Sequence, residues 1–546
     1  MNDVRLHPFQ PGARRSRTLL IIAAAAFVPA CASEGPRFDE EEILAHIATL
    51  SSDEFGGRAP ASPGEEKTVA HLVAAFEELG LEPGNPDGTW TQSVPLLGST
   101  ATRMEAASDP GGAWTGAVDF VAWTKRLVPE VEAGGELLFV GYGVQAPEYG
   151  WDDFGETDLS GRILVILVND PPGEHHFGGD AMTYYGRWTY KFEKAAAMGA
   201  LGALIVHETG PAGYPWEVVS GSWTGEQFDL RSPDGNMDRL QVEGWISREH
   251  AVALFDALGM DFEEARGGAA EADFTPIPLG IEANFSLATT HREIDSNNVV
   301  ALVPGSESPE ELLIYTAHWD HLGTVPEMEG DNIYNGALDN ATGTSGLIAL
   351  AEAFMTGPAP RRSVLFLAVT AEEQGLIGSR HYASNPLYPT RDTVAAVNLD
   401  GMNVWGRTSD IIVVGLGQSE LDGIAESVAT GLGRVLRPDP EPEKGFYYRS
   451  DHFEMAKVGI PAFYPDAGID FIGKPEGFGI EVRERYTAEA YHKPGDEVQD
   501  WYDLAGMVDD LEFLYRMGRE LTDSGVWPGW SETSEFRARR LEDRPR

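Results

Sequence analysis

Four short segments of this chain deliver acids or histidines that could act together: Thr316-Ala317-His318-Trp319-Asp320, Gly336-Ala337-Leu338-Asp339-Asn340, Thr370-Ala371-Glu372-Glu373 and Val397-Asn398-Leu399-Asp400. Imidazole and carboxylate are common ligands of zinc in hydrolytic sites, where a coordination position stays open for water or substrate. Asp320, two residues after His318, is placed to accept a hydrogen bond from the second imidazole nitrogen and fix its tautomer. The adjacent pair Glu372 and Glu373 allows one carboxylate to bind metal while the other handles the protons of a water. His321 is a competing imidazole nearby, and His318 is favoured because it opens the His-x-Asp pattern. Taken singly, each residue has an ordinary structural role. His318 could satisfy a core hydrogen bond, Glu372 and Glu373 could be a solvated pair, Asp400 could cap a turn, and Asp339 could be a helix N-cap. It is the set that points to metal.

The elements expected to position them follow from apolar patterning. Continuous apolar runs at residues 312–315, 364–369, 395–399 and 411–414 read as buried strands, and helices fit residues 343–354 and 421–432. Three of the four segments lie at the ends of these strands. Such alternation implies an α/β layer around a largely parallel sheet, whose ligands gather beyond the carboxyl ends of the strands. Further upstream, residues 40–50 and 65–79 carry helical periodicity, with Gly80 as a stop for the second. Residues 137–140, 163–168 and 203–206 read as strands, with a helix at 191–198 before the last.

At 546 residues the chain exceeds one ordinary core, so two domains are expected. Asp and Glu number 87 against 40 Lys plus Arg, a net charge of -47 that opposes binding to nucleic acid or an anionic membrane. Near the N-terminus Arg14, Arg15 and Arg17 precede an apolar run at 19–28 and then Pro29-Ala30-Cys31. That order reads as a secretory signal, residues 1–31, and its end resembles a bacterial lipobox. The expectation is an exported protein: a periplasmic or outer-membrane-anchored lipoprotein with its lipid on Cys31, or a secreted one. Cys31 is the sole cysteine, so no intrachain disulfide can form.

Together the segments resemble the zinc-dependent exopeptidases that include the bacterial leucyl aminopeptidases and glutamate carboxypeptidase (clan MH). The resemblance extends to Leu50-Ser51-Ser52-Asp53-Glu54-Phe55-Gly56-Gly57-Arg58. It also takes in a stretch like the protease-associated domain, marked by a helix running into a Gly-Ala strand at residues 195–203. It implies a three-layer αβα sandwich with a mixed, largely parallel sheet. The peptidase domain would occupy residues 34–115 and 286–525, the β-rich insert 116–285, and a polar tail 526–546, whose charged end from Glu532 to Arg546 is expected to fray. It further implies two Zn2+ ions bridged by Asp339, one also held by His318 and Asp400, the other by Glu373 and His492. Glu372 would be the general base, and Tyr491 would help hold the oxyanion. Ser450-Asp451-His452 would have a supporting or pocket role, and Asp496 would support the loop of His492. The activity implied is aminopeptidase action on peptides. A carboxypeptidase, a glutaminyl cyclase or a non-catalytic binding module on the same scaffold are the alternatives.

Overall fold

The strongest apolar runs of the chain become strands buried on both faces, which is the pattern a sheet covered by helices on each side requires. The computed structural model describes residues 37–544 except 174–178, 180, 223–224 and 327. The signal-like segment and Cys31 therefore lie outside the described residues. The sheet strands are β1 (Thr91–Asp109), β2 (Phe120–Trp123), β3 (Glu130–Phe139), β4 (Ile163–Leu167), β5 (Gly202–His207), β6 (Glu226–Leu230), β7 (Val242–Ser247), β8 (Ile277–Val303), β9 (Ser308–His318), β10 (Arg362–Val369), β11 (Thr393–Asn398), β12 (Asp410–Val414), β13 (Val435–Pro438) and β14 (Ala462–Asp466). Their order is β13-β12-β14-β11-β9-β10-β8-β3-β4-β5-β7-β2. The pairs β14/β11, β11/β9 and β9/β10 are parallel, while β10/β8 is antiparallel. A second parallel run, β3-β4-β5-β7, lies beyond β8. The long strand β8 links the two runs: Val299–Val303 pairs with β10, and residues nearer its start pair with β3 and β1.

Side chains alternate across the sheet with period two. Leu313, Tyr315 and Ala317 of β9, with Val364, Phe366 and Ala368 of β10, enter one core; Leu312, Ile314, Leu365 and Leu367 enter the other. The first core is covered by helices α1 (Glu40–Leu50), α2 (Pro63–Leu79) and α4 (Thr342–Thr356), and by α7 (Ala505–Asp523). The short helices α5 (Ile377–Ser384) and α6 (His452–Lys457) contribute Tyr382 and Met455 to the opposite face. This is the expected α/β sandwich. The helix α3 (Trp188–Ala197) packs Phe192 and Ala195 against the second parallel run.

The helix starts have identifiable caps. The Asp39 side chain accepts from the amides of Glu41 and Glu42 at the start of α1, and Ser62 caps α2. Gly80 closes α2 in the left-handed conformation at φ 83°. The expected frayed tail is not what forms. Residues Arg537–Asp543 make a helix, α8, and Trp530, Phe536 and Arg540 are buried beside it. Arg540 donates to the carbonyls of Thr390 and Thr393, so the charge that suggested a solvated end is used inside. Among the described residues no helix is long and apolar enough to cross a membrane.

Candidate metal centre

The parallel register carries the site. His318 of β9 lies opposite Val369 of β10, and Thr316 lies opposite Asn398 of β11. The residues leaving β10 and β11, Glu372-Glu373 and Asp400, therefore emerge at the same edge as His318. Asp339 arrives from the irregular segment Ala337–Ala341, just before α4 begins at Thr342. It is thus not an N-cap, and the Asp339-Asn340 peptide is cis. Gly336 holds the entry to this segment at φ 55°. A Cβ there would lie 2.2 Å from the Asp339 carbonyl and 2.6 Å from the His321 ring, so only glycine fits.

Asp339 sits between two imidazoles. His318 Nε2 is 3.3 Å from Asp339 Oδ1 and 3.4 Å from Asp400 Oδ1. His492 Nε2 is 3.3 Å from Asp339 Oδ2 and 3.0 Å from Glu373 Oε2. Ligand atoms of His318, Asp339 and Glu373 all lie within 4.8 Å of one another. Each oxygen of Asp339 thus faces one histidine, and each of those histidines also faces a further acid, a donor set of imidazole nitrogen and carboxylate oxygen that suits zinc. His318, rather than His321, faces the Asp339–Asp400 pair. His321 Nδ1 is 2.5 Å from Glu373 Oε1, which leaves Oε2 to His492.

The charges are out of balance. Burial opposes a positive charge on His318, yet Glu372, Asp400 and Asp339 hold its pKa well above the ordinary value. His492 is raised likewise, by Glu373, Tyr491 and Asp339 against burial. Burial would lift Glu373, but His492 and His321 outweigh it and bring the carboxyl down to about 2. Glu372 goes the other way: burial, Glu373, Asp451 and Asp400 raise it well above the usual carboxylate range. Neighbouring acids with pKa values driven apart are a signature of divided acid–base and ligand roles.

The supporting groups differ in part from expectation. Asp320 Oδ1 accepts from the Glu372 amide at 3.0 Å and lies 3.8 Å from His318 Nδ1. The nearer acceptor for that nitrogen is the main-chain oxygen of Asp320 at 3.1 Å, so the expected carboxylate–imidazole contact is displaced by the bond to Glu372. Burial, opposed by His318 and reinforced by Glu373, pushes the Asp320 carboxyl up to about 8. Ser450 donates to Asp400 Oδ2 at 2.6 Å and accepts from Asn398 at 2.7 Å. Asp451 accepts from Ser379 at 2.6 Å, while His452 packs between the rings of Tyr447 and Tyr464. Asp496 receives the amides of Leu338 and Asp339 at 2.9 and 3.0 Å, and its carbonyl receives that of Ala337. Its support therefore goes to the Asp339 segment. Tyr491 stacks on His492 with ring centroids 3.9 Å apart.

Arg58 was not singled out beforehand. Its buried guanidinium donates to the carbonyls of Trp319, Leu50, Asn335 and Gly336, tying the end of β9 to the Asp339 segment. Its place inside the Phe55-Gly56-Gly57-Arg58 motif was the available signal. Four non-glycine residues at this edge, Arg58, Ala371, Leu376 and His492, hold positive φ between 50° and 59°. Backbone strain of this kind collects where surrounding contacts over-determine a functional geometry.

Residues 298–509 match the model described as Peptidase family M28. Aminopeptidase NAALADL1 of Mus musculus is 30% identical over 150 residues, 26% of this chain and 18% of that protein. Aminopeptidase YwaD of Bacillus subtilis is 26% identical over 221 residues, 40% of this chain and 43% of that protein. The chain thus spans less than half the length of each of these relatives. The solved aminopeptidase from Aneurinibacillus sp. strain AM-1 superposes with a TM-score of 0.53 at 19% identity, covering 90% of this chain and 96% of that one, and shares the fold. His318, Asp339, Glu372, Glu373, Asp400 and His492 all fall between 298 and 509, the residues that match the model of peptidase family M28.

Proposed function

We propose that this chain is a co-catalytic dizinc exopeptidase that removes N-terminal residues from peptides. The observation that carries this reading is Asp339, whose two oxygens each face a different histidine, each of which also faces a second carboxylate. His318, Asp339 and Asp400 would hold one zinc ion; His492, Asp339 and Glu373 would hold the other. Such ions, when bound, supply positive charge that polarises a carbonyl and makes water a stronger acid near neutral pH.

The remaining chemistry belongs to the chain. Glu372 makes no side-chain hydrogen bond to another described residue, and its raised pKa suits a group that takes a proton from water and returns it to the leaving amine. The ordering of the Glu372 amide by Asp320 sets where that carboxyl begins. The hydroxyl of Tyr491, held beside His492, is available to hydrogen-bond the oxyanion as it develops. Ser450 and Asp496 keep Asp400 and Asp339 from rotating out of line.

The test is metal content together with a substrate panel of aminoacyl-p-nitroanilides, N-acetylated peptides and peptides with N-terminal glutamine. Hydrolysis from the free amino end, lost on chelation and restored by zinc, is the expected result. Cleavage confined to N-blocked peptides would point to a carboxypeptidase. Release of ammonia from N-terminal glutamine would point to a cyclase. Zinc binding without turnover of any of these would leave a binding module.

A further inference from the structure

We propose that His46 and His71 form a further transition-metal site outside the metal centre, a two-imidazole clamp that takes copper(II) across helices α1 and α2. It depends on neither the zinc assignment nor the exopeptidase reading above.

The two helices are fixed by their buried faces. Ile43, Ile47 and Leu50 of α1 and Leu72 and Phe76 of α2 enter the same core as the inner face of β9 and β10. His46 and His71 stand half-buried at the border of that core, while Glu42, Ala45, Ala74 and Glu78 on the same helices are exposed. The ring of His71 lies edge-on to Phe55, with centroids 6.2 Å apart at 89°. The two imidazoles meet at 69°, and Nδ1 of His46 is 3.0 Å from Nε2 of His71. Helix packing therefore sets this spacing, and each ring turns a nitrogen toward the other. Imidazoles elsewhere are spent on oxygen: His207 on the carbonyl of Tyr214, and His291 on Ser99 and the carbonyl of Val128.

The spacing selects the metal. Two nitrogens on a tetrahedral zinc ion, at bonds of about 2.0–2.1 Å, stand about 3.3–3.4 Å apart. At the same bond lengths, nitrogens on adjacent corners of a tetragonal copper(II) ion stand about 2.8–3.0 Å apart. The observed 3.0 Å belongs to the second range. Copper(II) also binds nitrogen donors more tightly than zinc does. The protonation states agree. Burial lowers the pKa of His46 against the charges of Glu42 and Glu78, and burial with the charge of His46 brings His71 down to about 4. Both rings are therefore neutral at pH 7, and one N–H bonds the lone pair of the other ring. Moving that proton to the far nitrogen of its own ring frees both lone pairs for a metal and releases no proton to water. Glu42, one turn before His46 on α1, adds a carboxylate to the same side of the helix.

The experiment adds one equivalent of copper(II) to the zinc-loaded full chain, with Cys31 alkylated, in a buffer that does not coordinate metal. Copper and zinc are counted after equilibrium dialysis, and the copper is examined by electron paramagnetic resonance. The expected result is bound copper with unchanged zinc, and hyperfine structure from two imidazole nitrogens. H46Q and H71Q, on separate helices, are each expected to lose the two-nitrogen signal while keeping the parental zinc content and circular dichroism. Either variant suffices for the decision if the other does not fold. Copper bound only as zinc is displaced, or a two-nitrogen signal that survives the substitutions, would overturn the site. So would a parent spectrum with a single nitrogen. Added zinc that expels copper from the pair at equal concentration would overturn the choice of metal that the 3.0 Å spacing makes.

Discussion

In the second parallel run of the sheet, formed by β3, β4, β5 and β7, the acids at the strand ends are neutralised by the protein itself. Asp170, three residues past β4, accepts from Thr183 and is drawn to Lys191; Glu208, next after β5, lies 3.1 Å from Arg266 and 3.7 Å from Arg248. His207 is used up on the carbonyl of Tyr214. In the run formed by β9, β10 and β11, the same topological position gathers Asp320, Asp339, Glu372, Glu373 and Asp400 around His318, His321 and His492, and no lysine or arginine forms an ion pair with them among the described residues. Both sets sit at the place where α/β sheets bind ligands. One set is closed with built-in cations, and the other is left needing them. The contrast separates a structural strand end from a functional one without reference to motif.

The largest effect that would sharpen this contrast is on Glu372, the acid of the set around His318 whose side chain bonds to no other described residue. Glu372→Gln is expected to lower kcat by about 10²- to 10⁴-fold while zinc content stays at the parent level. Near-parental turnover would remove Glu372 from proton transfer, and lost zinc would make it a ligand instead. Next comes Asp496, whose carboxylate accepts from the amides of Leu338 and Asp339 and from the Tyr486 hydroxyl. Asp496→Asn is expected to cost about 10–100-fold in zinc affinity or activity, read by competition with a chromogenic chelator.

The ligand types and their order were legible in the sequence because imidazoles and carboxylates at the ends of apolar runs are chemically conspicuous. The helix at residues 40–50 was equally legible, since Asp39 and the period of Ile43, Ile47 and Leu50 act locally. The strand β9 extends beyond the apolar core at 312–315, because Ser308 pairs with Arg362 at the sheet margin, where polar side chains are tolerated, with an irregularity before Leu312 meets Ser363. Asp339 looked like a helix cap because the Asp496 carboxylate that reshapes its segment lies 157 residues away. Arg58 was invisible for the same reason: its guanidinium acquires its role only from the carbonyls of Trp319, Asn335 and Gly336, which lie far away in sequence. The tail misled through its charge, since Arg540 reads as solvated until the carbonyls of Thr390 and Thr393 are in view.

A smaller effect tests the closed set. Glu208→Gln is expected to lower stability by about 1–3 kcal/mol through weaker bonds to Arg266 and Arg248, measured by urea denaturation. Zinc content and turnover should not change. A loss of zinc in that variant would mean that the two strand-end sets are coupled, and the contrast between them would fail.

The smallest effect concerns imidazoles outside both sets. His46 and His71, on α1 and α2, face each other with ring nitrogens 3.0 Å apart, and among the described residues no carboxylate bonds to either ring. Burial, then the charge of His46, lowers His71 to about 4, whereas carboxylates raise His318 and His492. His46 is lowered by burial too, with Glu42 and Glu78 opposing. Between pH 6.5 and about 4 the unfolded chain therefore binds a proton on residue 71 that the folded chain refuses. The contribution is fully present above pH 6.5 and is lost as the pH falls toward 4. His71→Gln should flatten that part of the Tm-against-pH curve relative to the parent, without altering zinc content. An unchanged slope would mean that the helix pair opens enough to hydrate His71, and that burial alone does not distinguish it from the imidazoles of the metal centre.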